Sequence, residues 1–328
     1  MKRREALLAK SENRAPYRLG ISDYLTGVDD ASRMGGIRLK EKENGPFLSS
    51  SSSPVPVWTD LRELENASLL LESNESEETE IKEYLRLLAT GSSLGGARPK
   101  ASVISPDSSL WIAKFPSRND EWDIGAWEMV VHDLASLCSL KTVDAKCEKF
   151  SKNGSTFLTK RFDRDGKKRV HFMSALTATG KTDGSDSASG SSYLEIAEVI
   201  EKYGASPRED LKELWMRIVF SIAVTNTDDH LRNHGFLHTK RGLTLSPLYD
   251  VNPSPDGVGL SLNIDENSNE LDFTLAVDSA RYYGVRKDEA ALLCNRIRNT
   301  VAQRWKGLAV KYGITREEIE MMSHCFTS

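Results

Sequence analysis

Two aspartates and an asparagine in one polar region have the residue types and the spacing that phosphoryl transfer needs. Asp228 comes first, Asn233 follows five residues later, and Asp250 comes after a short predicted hairpin. An aspartate can orient a hydroxyl group, while an asparagine and a second aspartate can hold Mg²⁺ on a nucleotide. Aspartate and asparagine also cap helix ends and form turns, so capping stays open for any single member. The complete set favours a phosphoryl-transfer site.

The elements around this region are predicted to bring its two ends together. Apolar residues before it repeat at three and four positions, which is the period of a helix with one buried face. These residues are Leu211, Leu214, Trp215, Ile218, Val219, Ile222 and Ala223. After it, residues 235–239 and 243–245 are predicted to form two strands of a hairpin, which returns Asp250 to the end of the helix.

A glycine-rich turn at residues 91–100 is a candidate phosphate-binding loop. Its glycines let backbone N–H groups approach phosphate oxygens, and two basic side chains add positive charge. The stretch is neither a GxGxxG nor a Walker A sequence, so a glycine-rich hairpin or a helix C-cap is the alternative interpretation. The candidate nucleotide-binding residues are Ser93, Gly95, Gly96, Ala97, Arg98 and Lys100.

The strand predicted at residues 110–115 places a lysine on an apolar face. Leu110, Ile112 and Lys114 share one face because side chains alternate along a strand. A buried ammonium group needs a partner charge, and Glu128, in the helical pattern that follows, is the expected partner. Protein kinases use such a pair to direct a strand lysine to nucleotide phosphates. The alternative is a lysine at a strand edge that extends to water.

Residues 157–163 form a predicted apolar strand that becomes polar at its end, where a two-lobed kinase has the hinge whose backbone binds adenine. The chain then contains, in order, a glycine-rich loop, strand lysine, helix glutamate, hinge strand, Asp/Asn loop, hairpin and metal-type aspartate. A kinase requires this order. We therefore predict an α+β, two-lobed, protein-kinase-like fold. Its nucleotide-binding lobe, which mixes helices and strands, is expected over residues 1–160. Its mainly helical catalytic lobe is expected over residues 161–328.

Composition narrows the function classes. The 328-residue chain is 39% apolar and 28% charged, with a net charge of -4, which is ordinary for a soluble globular protein and argues against a broad nucleic-acid footprint. It has no apolar stretch long enough to span a bilayer, and its start lacks the apolar core of a signal peptide. We expect a cytoplasmic protein that does not bind membranes. The four cysteines have no paired spacing and are expected to be reduced thiols, not zinc ligands.

The sequence also predicts the structure of three further segments. Residues up to about 45 are expected to form a small, irregular, β-rich piece, and a serine-rich spacer follows it. Residues 61–88 have the apolar spacing of two helices. The stretch 181–192 is rich in glycine, serine and aspartate and is expected to be a mobile loop.

Five motifs resemble those of the HipA family of serine/threonine kinases, the toxins of bacterial toxin–antitoxin operons. They are GSSLGGARPKA at 91–101, LWIAKFPS at 110–117, FLTKRFDR at 157–164, NTDDHLRN at 226–233 and LSPLYDVN at 245–252. The resemblance implies that Asp228 is the catalytic base and that Lys114 contacts the phosphates of ATP. It also implies that Asn233 and Asp250 bind Mg²⁺ and that His230 supports the loop and the nucleotide, although His230 can equally be an ordinary structural histidine.

The same resemblance implies an adenine site, a regulatory modification and a target. Lys160 and Phe162 would offer hinge backbone to adenine. Ser93 stands where members of the family autophosphorylate, an event implied to expel the loop and inactivate the enzyme; the adjacent Ser92 is the other candidate. The implied protein substrate is a translation component such as an aminoacyl-tRNA synthetase, whose phosphorylation inhibits growth.

One departure from the family pattern concerns the start of the chain. Typical members carry a small β-rich subdomain before the point that corresponds to Tyr17, and this chain begins almost at that point. It therefore resembles the shorter toxins of three-gene systems, in which a separate small protein supplies the subdomain; a truncated gene is the alternative. A helix-turn-helix antitoxin is the other implied partner, so DNA would be contacted only indirectly. A catalytically idle nucleotide-binding subunit of an operon-repressing complex and a small-molecule or lipid kinase stay open as alternatives.

Overall fold

The computed structural model describes residues 5–6, 9–10, 12–49, 55–73 and 98–326. They divide into two compact units. Unit 1 comprises Met1–Gly125 and Ala145–Arg169, and unit 2 comprises Ala126–Asp144 and Val170–Ser328. Both units combine helices and strands, which confirms the predicted α+β class. The lobe boundary proposed at residue 160 stays a prediction.

Unit 1 contains the helices α1 (Ile21–Thr26) and α2 (Leu61–Ser73), the second preceded by a 3-10 turn. Gly20 is the N-cap residue of α1, and its N–H donates to Asp23 Oδ2 at 2.7 Å. The expectation of a β-rich piece is wrong here, because the described residues before 50 pair as strands only at the isolated bridge between Lys40 and Phe47. The second helix expected near residues 81–88 lies outside the described residues.

A four-stranded antiparallel sheet forms the core of unit 1. Its strands are β1 (Lys100–Ile104), β2 (Leu110–Lys114), β3 (Ala145–Ser151) and β4 (Gly154–Lys160), in the spatial order β1-β2-β4-β3. The predicted alternation of β2 is confirmed, since Trp111, Ala113 and Phe115 belong to one buried cluster with residues of α2. Lys114 lies on the other face, where Phe157 of β4 is its neighbour in the register.

A group of charged residues fastens residues 29–38 to the chain that follows β4. The Arg161 and Asp163 side chains are fully buried and lie 2.6 Å apart. Arg161 Nη1 also donates to the Ser32 carbonyl at 2.6 Å, and the Gly35 N–H donates to Asp163 Oδ2 at 2.7 Å. Because a buried ion pair is strongly destabilising to break, this segment is an integral part of unit 1. A two-stranded ribbon, β5 (Arg164–Asp165) and β6 (Lys168–Arg169), completes the unit.

Helix α3 (Ile124–Leu137) begins in unit 1 and continues in unit 2. The other helices of unit 2 are α4 (Ala175–Ala178), α5 (Tyr193–Tyr203), α6 (Pro207–Ala223), α7 (Phe273–Ser279), α8 (Lys287–Lys311) and α9 (Arg316–Met321). An antiparallel sheet contains β7 (Phe172–Ser174), β8 (Gly235–Thr239) and β9 (Gly242–Leu245), in that order. Across the part of the chain that the structure describes, no helix is long and apolar enough to cross a membrane.

Helix α6 leads into the region with the predicted chemistry. Pro207 occupies its first position, where a missing N–H does no harm, and the apolar positions predicted for its buried face are buried. Trp215 anchors the helix because its Nε1 donates to the Ala276 carbonyl at 2.7 Å. β8 and β9 form the predicted hairpin, with Phe236 opposite Leu245. The helix and the hairpin therefore flank residues 224–234.

Candidate catalytic site

The loop at residues 225–234, which we call the catalytic loop after its predicted role, begins with a sharp change of backbone direction at the end of α6. Thr225 has a φ of +50°, and the Asn226 N–H folds back to donate to the Ser221 carbonyl at 2.8 Å. The Asn226 side-chain amide also donates to Ser221 Oγ at 3.3 Å. Since Asn226 is almost fully buried, these bonds tie the loop firmly to the last turn of α6.

Asp228 and Asp229 are neighbours in opposite environments. Asp228 is exposed. Asp229 is buried, its Oδ1 lies 2.9 Å from His234 Nε2, and its Oδ2 accepts hydrogen bonds from Tyr193 Oη at 2.7 Å and Ser221 Oγ at 3.1 Å. Burial opposes the ionisation of Asp229, but its interactions with these three side chains outweigh burial and lower its pKa. Asp229 therefore holds the loop in place, while Asp228 is exposed at the surface of the loop.

Asn233 is buried and is oriented by the loop itself. Its Nδ2 donates to the Asp228 carbonyl at 2.8 Å, and its backbone N–H donates to the His230 carbonyl at 2.8 Å. Because the amide nitrogen is used in this way, the amide oxygen is the end that can act as a ligand. His230 is half-buried, with Nε2 3.4 Å from Arg232 Nη2, and its role toward a nucleotide stays a prediction.

Asp250 lies on a segment that is fastened to the catalytic loop on both sides. Before it, Tyr249 Oη donates to the Arg232 carbonyl at 2.6 Å. After it, the Asn252 N–H donates to Asn226 Oδ1 at 3.3 Å. Asp250 itself is exposed and has a φ of +58°, a conformation in which aspartate is enriched among the residues other than glycine. The structure thus brings the segment of the second aspartate to the loop that carries the first.

A buried ion pair of α6 supports the residues just before this aspartate. Arg217 Nη2 donates to Glu213 Oε1 at 2.9 Å and to the Ser246 carbonyl at 2.7 Å. Glu213 Oε1 also accepts the Lys141 N–H at 3.0 Å, and the Lys141 carbonyl accepts the Leu248 N–H at 2.7 Å. The segment is therefore held both by α6 and by the loop that follows α3.

The donor atoms fit a divalent cation that is shared with phosphate. Among the described residues, no group of three or more histidine, cysteine, aspartate or glutamate side chains could hold a metal ion. Mg²⁺ at nucleotide sites needs few protein ligands, because phosphate oxygens and water complete its coordination. The Asp250 carboxylate and the Asn233 amide oxygen are hard oxygen donors of the kind that Mg²⁺ prefers. These two residues would hold the ion.

Lys114 and Glu128 are both buried, at 8% and 4% exposure. Lys114 Nζ lies 5.8 Å from the centre of the Phe157 ring, within the range of a cation–π contact. This burial argues against an edge lysine that extends to water. Lys114 belongs to unit 1 and Glu128 to unit 2, and their pairing stays a prediction.

The glycine-rich turn is described only at its end. Ser92, Ser93, Gly95, Gly96 and Ala97 lie outside the described residues, and their phosphate-binding role stays a prediction. Arg98 forms an ion pair with Asp120 at 2.7 Å, and its Nη2 also donates to the Phe115 carbonyl at 3.1 Å. Phosphate binding by Arg98 would therefore compete with these partners.

The remaining candidates of unit 1 lie at strand ends. Lys100 begins β1 opposite Lys114 of β2. Lys160 ends β4, and Phe162 follows two residues later; both are half-buried and flank the buried Arg161. Their proposed contacts with a nucleotide stay predictions.

Sequence reasoning missed three residues that hold the catalytic loop: Tyr193, Ser221 and His234. Tyr193 is the first residue of α5, so no local spacing connects it with the loop. Of the other two, His234 left a signal in the sequence. His234 directly follows Asn233, and two adjacent aspartates indicate that one of them has a structural role.

Known proteins resemble this chain over much of its length. Residues 92–305 match the family model described as HipA-like C-terminal domain. A Haemophilus influenzae protein named as a candidate kinase is 31% identical over 111 residues. That match covers 30% of this chain and 32% of the relative, about a third of its length.

Two solved structures resemble the chain in fold. HipA of Shewanella oneidensis MR-1, solved with HipB and operator DNA, has a TM-score of 0.66 with 14% identity, over 98% of this chain and 80% of its own. This likeness confirms the predicted HipA-like fold. The Helicobacter pylori kinase CtkA matches 65% of this chain and 94% of its own with 12% identity, at a TM-score of 0.43 that is too low to bear on the fold.

Proposed function

Because this chain belongs to the HipA-like C-terminal domain family, we propose that it is an ATP-dependent protein serine/threonine kinase and the toxin of a bacterial toxin–antitoxin system. The arrangement of the catalytic loop carries this proposal. Asp228 is exposed, the Asn233 amide is bonded to the Asp228 carbonyl, and the Asp250 segment is fastened to the same loop. These are the groups that phosphoryl transfer to a hydroxyl requires.

Each residue then has a defined task. Asp228 accepts the proton of the serine or threonine hydroxyl as that oxygen bonds to the γ-phosphorus and the bond to the oxygen of ADP breaks. Its exposure lets the hydroxyl reach the carboxylate, and Asn233 fixes its backbone. Asn233 and Asp250 would hold Mg²⁺, which when bound neutralises charge on the phosphates. Lys114 would offset the negative charge of the same phosphates.

The finer features of the proposal concern regulation and partners. Autophosphorylation of Ser93 or Ser92 would add close to two negative charges beside the ATP phosphates and displace the loop by repulsion. A translation component such as an aminoacyl-tRNA synthetase is the proposed cytoplasmic substrate. The Shewanella oneidensis HipA was solved with HipB, which supports an antitoxin partner. The exposed Tyr17 and Ile21 side chains support a second partner, a separate small protein that binds the first residues of the chain.

The direct test is the transfer of labelled γ-phosphate from ATP to protein by the purified chain, with analysis of the labelled amino acid. Asp228→Asn should lower the transfer about 10²-fold or more without changing the unfolding midpoint. Asp278→Asn is the matched control, because its side chain is 55% exposed in an ion pair with Lys287, and it should keep full activity. Full transfer by Asp228→Asn would contradict the proposal.

The alternatives predict different outcomes of the same assay. A catalytically idle subunit would bind Mg²⁺ and nucleotide in calorimetry but transfer no label. A small-molecule or lipid kinase would place the label in the metabolite or lipid fraction of a lysate and leave its proteins unlabelled. Label on serine or threonine residues of a protein, lost in Asp228→Asn, distinguishes the proposed kinase from both.

A further inference from the structure

The catalytic loop begins with a residue in an unfavourable backbone conformation. Thr225 is 6% exposed and has a φ of +50°. A β-branched side chain in the left-handed region is a genuine outlier. Such strain persists only where the surroundings fix it, and it is concentrated at functional sites. The contacts that hold Thr225 therefore also determine where the loop starts.

Within the loop, the Thr225 carbonyl accepts the Thr227 N–H at 3.1 Å. Three further hydrogen bonds connect Thr225 with three other parts of unit 2. Its N–H donates to the Ile222 carbonyl of α6 at 3.2 Å. Its carbonyl accepts the Ser254 N–H at 2.9 Å, from the segment that follows Asp250. Its Oγ1 donates to the Cys325 carbonyl at 3.0 Å. The side-chain bond is the one that a substitution can remove without changing the backbone.

Cys325 belongs to a short 3-10 segment, Met322–Phe326, which we call the latch segment. Phe326 stacks on Trp305 of α8, with ring centres 4.9 Å apart, and on Trp127 of α3, with ring centres 5.6 Å apart. His324 Nε2 lies 2.9 Å from the Pro255 carbonyl. The latch segment is thus anchored on two long helices and touches the chain on both sides of the catalytic centre.

We propose that the latch segment positions the catalytic loop for phosphoryl transfer and that Thr225 is the positioning residue through which it acts; this inference rests on the proposed kinase activity. The bond between Thr225 Oγ1 and the Cys325 carbonyl stabilises the left-handed turn. Without it, the residues that follow occupy other arrangements for part of the time. Asp228 and Asn233 then leave their working positions together, because one hydrogen bond joins them.

Three substitutions at Thr225 separate the hydroxyl group from the shape of the side chain. Thr225→Val keeps the branched shape and loses the bond, and its kcat should fall about tenfold, the usual value of one hydrogen bond, with little change in KM for ATP. Thr225→Ser keeps the hydroxyl and should restore most of kcat. Thr225→Gly lacks the hydroxyl but adopts the left-handed conformation freely. Its kcat should therefore lie between those of Thr225→Val and Thr225→Ser.

The matched control is Thr239→Val, which removes a similar hydroxyl-to-carbonyl bond, from Thr239 Oγ1 to the Gly242 carbonyl at 2.7 Å, in the β8–β9 hairpin. It should leave kcat unchanged. The positioning role is wrong if Thr225→Val and Thr239→Val have the same kcat. It is also wrong if kcat falls as much in Thr225→Ser as in Thr225→Val.

A second measurement keeps this inference separate from the proposed function. Amide hydrogen exchange of residues 226–233 should be about tenfold faster in Thr225→Val and in Phe326→Ala than in the wild-type chain, while α5 keeps its protection. This readout needs no activity. Faster exchange with an inactive wild-type chain would support the latch and refute the kinase, whereas unchanged exchange in both variants would refute the latch.

Discussion

Replacement of Asp229 by asparagine should destabilise unit 2, whereas the same replacement one residue earlier should not. Asp229 is buried and interacts with His234, Tyr193 and Ser221. Asparagine removes the charge and turns an NH₂ group toward partners that are themselves donors. Loss of one member of a buried charged network typically costs about 3–5 kcal/mol. The exposed Asp228→Asn should stay within about 0.5 kcal/mol of the wild type.

Urea unfolding followed by tryptophan fluorescence measures this difference, since Trp215 and Trp305 are buried in unit 2. Tyr193→Phe removes a single donor and should cost about 1–2 kcal/mol, between the two aspartate variants. The order of the variants in activity should differ from their order in stability, because Asp228→Asn is expected to lower transfer about 10²-fold or more while it stays folded. The reasoning is refuted if Asp229→Asn unfolds at the wild-type urea concentration, or if Asp228→Asn loses as much stability as Asp229→Asn.

Three further predictions concern packing and ionisation. Burial opposes the ionisation of Asp133, but the nearby His132 ring and hydrogen bonds from Tyr312 and Lys311 lower its pKa to about 2. Asp133 should therefore contribute at most about 2 kcal/mol to stability above pH 4. Urea midpoints should show that contribution disappear as the pH falls toward 2, and Asp133→Asn should lack this pH dependence. Burial raises the pKa of the Cys138 thiol to about 12, so roughly one molecule in 10⁴ is thiolate at pH 8. Treatment with iodoacetamide followed by mass spectrometry should therefore find the half-buried Cys147 modified first. Equal rates of modification at Cys138 and Cys147 would contradict this. In Gly125→Ala the new Cβ would lie 2.0 Å from the Ser155 carbonyl oxygen, so thermal unfolding should show a loss of about 3 kcal/mol or more, whereas Gly307→Ala, in open space on α8, should be neutral or slightly stabilising.

Periodicity predicted the parts of the structure that periodic burial determines. The apolar spacing of α6 and the alternation of β2 both correspond to buried faces, because a buried helix stripe and a buried strand face leave a direct mark on the sequence. The hairpin before Asp250 was predicted on other grounds, from two short strand-like runs and the turn residues between them. These elements are sufficient to bring the Asp228 loop and the Asp250 segment together.

Such patterns could not predict contacts between residues that are far apart in the sequence. The burial of Asp229 depends on Tyr193, which is 36 positions away. The stretch 181–192 has the composition of a mobile loop, but the Ser187 N–H donates to the Ser261 carbonyl at 2.7 Å and the Asn263 N–H donates to the Ser191 carbonyl at 3.0 Å. The composition of a segment indicates how little apolar surface it can bury. It does not show which residues of other segments will form hydrogen bonds with it.

Each unit is assembled from two separate stretches of the chain, which has a consequence for synthesis on the ribosome. Trp127 of α3 is made 199 residues before Phe326, the ring on which it stacks. At about 5–20 residues per second, the apolar face of α3 waits roughly 10–40 s for that partner. The nascent chain therefore exposes an apolar helix that chaperones can bind. The ring stack that joins α3, α8 and Phe326 can close only after residue 326 has left the ribosome.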